Sequence, residues 1–165
     1  MINVVKPLLT PRSVLVLIDM QTGFPTAKDA ATIEACKTLM EEFKRQQLSI
    51  LFLRYGLEII SASAKYGHGR ILPALSKTVK GYPFVKTLTK QIDSGASQVE
   101  KYLVCKDFRL FLGGVNTSAC VFATAKGLKL RGFNEVFVVP AACNDDMSWG
   151  YSEKGFHKAG IGVIA

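Results

Sequence analysis

Histidine and tryptophan are scarce in this chain, at two and one residues. Neither His68 nor His157 stands at a metal-ligand spacing from a cysteine or the other histidine. The four cysteines, Cys36, Cys105, Cys120 and Cys143, contain no C-x-x-C pair and no small-domain disulfide framework. No secretory flank is present, and the apolar run at 14–18 is closed by Asp19, too short for a membrane span. Reduced thiols, a cytoplasmic location and no membrane partner are therefore expected. No run of five or six basic residues occurs, and no aromatic-plus-basic RNA-binding signature. The net charge of +8 then reads as a solvated basic face, with no nucleic-acid partner expected. Internal repeats and low-complexity stretches are also missing.

What is present is hydrophobic substance. Hydrophobic residues make up 48% of the 165 positions, which argues against disorder and for one domain, 1–165, with a real core. SVLVLID (13–19) is an apolar run of the kind buried on both faces in a central parallel strand. It leaves Asp19 at the strand's carboxyl end, where open α/β sheets place their ligand crevice. Helical spacing follows over 29–47, with Ile33, Cys36, Leu39, Met40 and Phe43 on one face, and LSILFL (48–53) is a second strand. Glycines and prolines punctuate 54–83, which reads as an excursion over the carboxyl edge of the sheet. YPFVK (82–86) predicts a short strand delivering Lys86 to that edge, and 92–104 a helix interrupted by Gly95. Further strands are predicted at 108–112, 135–140 and 160–164, helices at 118–130 and 149–158, and a loop at 141–146. The alternation implies an α/β fold: a three-layer α-β-α, Rossmann-like, mostly parallel sheet of about six strands with helices on both faces.

FLGGVNTSAC (111–120) organises the chemistry. An apolar strand turns through Gly113-Gly114 and delivers Cys120 into a helical pattern that Thr117 or Ser118 can cap. A cysteine facing the positive end of a helix is favoured as thiolate and can serve as a nucleophile. On this stretch alone Cys120 reads equally well as a small buried residue. Asp19, Lys86 and Cys120 arrive at one edge on this reading, and each supplies something thiol chemistry needs. A carboxylate can take the thiol proton and return it to a leaving amine. An ammonium favours the thiolate and holds the carboxylate.

The segments VLVLIDMQTGF (14–24), FVK (84–86) and GGVNTSACVFATAKGLKLRGFNEVFVVPAACND (113–145) resemble the isochorismatase-like cysteine hydrolase superfamily. That family includes nicotinamidases, N-carbamoylsarcosine amidohydrolases and ureidoacrylate-type amidohydrolases. The resemblance implies Cys120 as nucleophile, Asp19 as proton shuttle and Lys86 as third member, with Lys90 the competing lysine. Lys86 is preferred because it directly follows the apolar stretch. A cis peptide between Val115 and Asn116 is also implied, turning the Asn116 N–H toward the Cys120 N–H as an oxyanion hole. Family members that bind a metal carry Asp-x-His after the second strand; here RYGLEII (54–60) has neither residue, so no metal and no other cofactor is expected, and nicotinamide is not the expected substrate. The small-and-aromatic motif that commonly follows the family's lysine is missing from KTLTKQIDSG (86–95).

The expected activity is hydrolysis of an amide or ureide C–N bond in a small metabolite through a thioester. Vinyl-ether hydrolysis and a silent binding relative are the alternatives. Gln21, Phe24, Arg54, Tyr55 and Trp149, with Tyr151, are candidate substrate contacts; Arg54 would suit an anionic substrate. The resemblance also implies a homo-oligomer, dimer or tetramer.

Overall fold

The structure, a computed structural model, describes residues 2–56, 69–145 and 153–164. Six strands form one sheet in the order β3-β2-β1-β4-β5-β6. They are β1 (Ser13–Ile18), β2 (Ser49–Tyr55), β3 (Val85–Lys90), β4 (Arg109–Val115), β5 (Glu135–Asn144) and β6 (Gly162–Val163). Every pairing is parallel, so the expected mostly parallel sheet is wholly so. This is the doubly wound order, in which the chain reverses direction of travel between β1 and β4 and opens a crevice beyond their carboxyl ends.

Alternation along the strands builds two cores. Leu15, Leu17 and Phe111 point to one face, where they meet Val5 of α1 (Ile2–Val5), Cys36, Leu39, Met40 and Phe43 of α2 (Ala30–Arg45), and Leu75 of α3 (Pro73–Thr78). Val14, Val16, Ile18, Leu51 and Leu53 point to the other. There they meet α4 (Ala96–Leu103), α5 (Phe122–Leu130) and α6 (Glu153–Lys158) through Val99, Leu128 and Phe156. Every residue of β1 is buried, as a strand covered on both sides requires. α2 starts where Asp29 accepts the Thr32 N–H at 2.8 Å, a side-chain cap for an otherwise unpaired donor.

Several boundaries differ from the sequence expectation. The strand expected at 82–86 begins at Val85 and runs to Lys90. Tyr82 is held out of it because its hydroxyl donates to the Leu48 carbonyl at 2.6 Å, beneath the start of β2. β3 is an edge strand with a largely exposed VKTLTK sequence, so it carries no apolar run to announce it. The helix expected from 92 begins at Ala96, after Gly95, where an added Cβ would meet Leu53 at 2.5 Å. β5 continues through Pro140 to Asn144, where a loop was expected, after a register shift between Leu112 and Gly114. The last strand is two residues long. Of the helix expected at 149–158, the first four positions lie outside the described residues.

Candidate active site

Asp19 is the first residue beyond β1. Its backbone is left-handed (φ 54), a conformation that Asp tolerates better than most residues, and its N–H donates to the Leu53 carbonyl at 2.9 Å. The carboxylate is fully buried, and so is the ammonium of Lys90, whose Nζ lies 2.9 Å from Oδ2. Lys90 also donates to the Ile92 carbonyl at 3.2 Å and stands 4.2 Å from the ring centroid of Tyr55. A carbonyl, a carboxylate and an aromatic face thus replace the water that a buried ammonium loses.

Lys90 occupies this position because it ends β3, opposite Tyr55 at the carboxyl end of β2. Lys86, the lysine preferred from sequence, pairs in register with Leu51 near the strand's start and is exposed. Four residues at about 3.3 Å each put it roughly 13 Å from Lys90 along the strand. The structure therefore brings Lys90, not Lys86, to Asp19.

Cys120 comes from the other side of the crevice. Gly114 lets β4 close on β1: its φ is +124, and a Cβ there would lie 2.0 Å from the Ile18 carbonyl oxygen. The Val115–Asn116 peptide is cis, as the resemblance implied. The segment Thr117–Val121 then forms a π-helical turn before α5, so Cys120 lies within a widened turn rather than at a helix's first residue. Thr117 and Ser118 do not cap it by their side chains. The Thr117 hydroxyl donates to the Asn144 carbonyl at 2.9 Å, and the Ser118 N–H donates to the Asp145 carboxylate at 2.7 Å. Thr26 braces the turn from below, donating its hydroxyl to Asn116 Oδ1 at 2.7 Å while its carbonyl accepts from Asn144 Nδ2 at 3.0 Å.

Cys120 is 8% exposed. Burial pushes the Cys120 thiol up from 9.0 to about 12, the Asp19 charge and a hydrogen bond to Asp19 add to the rise, and the Lys90 charge opposes it. Burial thus opposes the thiolate that a helix terminus was expected to favour. Asp93, in the turn after β3, has its Oδ1 3.9 Å from the same sulfur.

The remaining candidates fall into three groups. Tyr55 stands at the site, half-buried against Lys90, and burial followed by the charges of Asp93, Cys120 and Asp19 raises its hydroxyl pKa. Gln21 is buried and engaged with backbone: its Oε1 accepts the Tyr55 N–H at 2.7 Å, and its Nε2 donates to the Tyr55 and Gly69 carbonyls at 3.2 and 2.8 Å. Phe24 packs half-buried on the core shared with α2, and Arg54 is exposed near the end of β2. Trp149 and Tyr151 lie outside the described residues. Among the described residues no cluster of three His, Cys, Asp or Glu could hold a metal.

Sequence reading missed Asp93, Thr26, Asn144 and Asp145, and ranked Lys90 second. One signal pointed to Lys90: small residues, Ser94, Gly95 and Ala96, follow it closely, whereas threonines follow Lys86.

The doubly wound parallel sheet thus brings a cysteine, a carboxylate and a lysine together at its switch point. The chain belongs to the isochorismatase family, whose domain model matches residues 13–161. Solved structures share the fold. The nicotinamidase/pyrazinamidase of Bacillus subtilis is 18% identical, with a TM-score of 0.69, over 93% of this chain and 100% of that one. A putative isochorismatase hydrolase from Oleispira antarctica is 17% identical at a TM-score of 0.75, over 95% of each chain. A ribonuclease from Caenorhabditis elegans is 20% identical at a TM-score of 0.67, over 92% of this chain and 72% of that one. No curated protein matches the sequence. The family identifies the chain as an isochorismatase-family hydrolase, and no helix among the described residues is long and apolar enough to cross a membrane.

Proposed function

We propose that this hydrolase cleaves a C–N bond, amide or ureide, of a small molecule through a thioester on Cys120, with Asp19 and Lys90 as its partners. The observation that carries this reading is the fully buried Lys90–Asp19 pair beside the thiol. A buried ion pair is a poor stabilising device, because desolvation of the two charges offsets their attraction. Its placement next to a cysteine at the crevice suits catalysis instead.

The roles follow from the chemistry of each group. A thiol held near pKa 12 needs a base, and Asp19 accepts its proton as sulfur attacks the carbonyl carbon. Lys90 keeps Asp19 oriented and offsets the negative charge as thiolate forms. The backbone N–H groups of Asn116 and Cys120 receive the oxyanion, each worth about 3 kcal/mol to the transition state. As the C–N bond breaks, Asp19 returns the proton to the leaving nitrogen, and the acyl group stays on sulfur. Water then attacks the thioester carbonyl, giving its proton to Asp19; the C–S bond breaks, the acid leaves, and the proton returns to sulfur. Dimer or tetramer formation belongs to the same proposal and is measured by sedimentation.

The test is ammonia release across a panel of small amides and ureides, comparing the chain with Cys120→Ala, Asp19→Asn and Lys86→Ala. At least one substrate should be turned over by the parent and Lys86→Ala and by neither of the other two. Turnover that survives Cys120→Ala would remove the thioester from the reaction.

A further inference from the structure

Cys120 has two carboxylates beside it, and they differ in kind. Asp19 is buried and paired with Lys90. Asp93 is exposed, three residues after Lys90, and among the described residues it forms no ion pair, yet its Oδ1 lies 3.9 Å from the sulfur. Its charge reaches Tyr55 as well, being one of the causes, after burial, that raise that hydroxyl. The field at the sulfur is therefore negative on its solvent side, although the chain as a whole carries +8.

The two fields favour opposite ligands, and distance decides between them. Exposed charges farther apart than about 8 Å are largely screened at physiological salt. The lysines and arginines that make the total positive are, Lys90 and its ion-pair partner aside, spread along the chain, and Arg54 is exposed near the end of β2. Asp93 is at contact range. Like charges at that range repel, and an approaching cation is drawn in.

We propose that Asp93 sets the charge preference of this site, favouring small amides that carry an ammonium or amidinium group near the scissile carbonyl and disfavouring anionic ones. It is a specificity residue that the hydrolase reading does not require, although the word "amide" in this proposal rests on that reading. Pairing with a substrate cation has a second effect. It neutralises one of the charges that keep Cys120 protonated, so the correct substrate makes its own nucleophile easier to deprotonate. An anionic substrate, attractive from the basic composition, would meet the reverse.

Charged thiol reagents test this without any amide. Methanethiosulfonates bearing either 2-aminoethyl (cationic) or 2-sulfonatoethyl (anionic) groups transfer their thioalkyl group to a thiolate as sulfinate leaves. Rates are followed by peptide mass at Cys120 and at Cys105, which is exposed and serves as the reference thiol on the same molecule. The cationic-to-anionic rate ratio at Cys120 should exceed that at Cys105 by about tenfold. In Asp93→Asn it should fall toward the Cys105 value, and in Asp93→Glu it should stay high. A Cys120 ratio no greater than that of Cys105, or one that Asp93→Asn leaves unchanged, overturns the proposal. Because the readout is thiol modification, a protein that hydrolyses no amide would sink the proposed reaction and leave this result standing.

Discussion

Ion pairs at the two ends of the sheet each join a basic side chain to a carboxylate and do opposite things. At the amino end, Arg12 pairs with Asp107 with both side chains 59% exposed, and Arg109 of β4 pairs with Glu135 of β5 at the surface. At the carboxyl end, Lys90 and Asp19 are fully buried. Water screens the first kind, which contributes about 0–1 kcal/mol. The second kind has lost its hydration, at a cost of several kcal/mol per ion, so it persists only because each charge has the other. The lesson is that the carboxyl end holds a charge arrangement that a merely stable fold would do without.

That contrast can be broken by mutation. Lys90→Ala should give the largest loss, about 3–5 kcal/mol in urea unfolding, because a buried carboxylate is left alone. A loss under 1 kcal/mol would mean that the pair behaves like a surface one. Replacing both partners, Asp19→Asn (which keeps the left-handed backbone) with Lys90→Met, should recover most of that stability while leaving hydrolysis at zero; a double variant as unstable as Lys90→Ala would instead make the pair structural.

The thiol supplies a smaller, graded effect. With its pKa near 12, iodoacetamide modification of Cys120 should rise about tenfold per pH unit between pH 7 and 9, since only thiolate reacts. The sign for stability follows from the same shift. The native state holds this proton more tightly than the unfolded chain, whose ordinary value is 9.0, so the contribution is intact below pH 9 and is lost as pH climbs toward 12. A plateau in reactivity already at pH 7 would show a thiolate at rest. Smallest of all, Lys86→Ala and Arg12→Ala should each change stability by less than about 1 kcal/mol in the same unfolding assay, and a larger loss from either would erase the contrast between the two ends.

How much of this the sequence carried depended on what each signal was made of. β1, β2, α2 and β4 were legible because burial on two faces, or one helical face, writes a hydrophobic pattern that no tertiary information is needed to read. β3 was misplaced because an edge strand needs no such pattern, and of the YPF stretch ahead of it Tyr82 packs under β2 while Pro83 and Phe84 are exposed. The lysine error follows from that shift: with the strand ended at 86, the wrong ammonium seemed to reach the crevice. Asp19 and Cys120 were visible through their positions after apolar strands. Asp93 was not, because its significance lies in a contact across the turn between residues 27 positions apart. Asp145 and Thr26 escaped for the same reason, each acting on a backbone or side chain far away in the chain.

Gln21 has a consequence for how this protein could be re-engineered. One buried amide grips the chain on both sides of residues 57–68, at Tyr55 and at Gly69. Both anchor points are thereby tied to the tip of β1, next to Asp19. Changing Gln21 would therefore disturb the end of β2 and Gly69 together, beside the reactive floor.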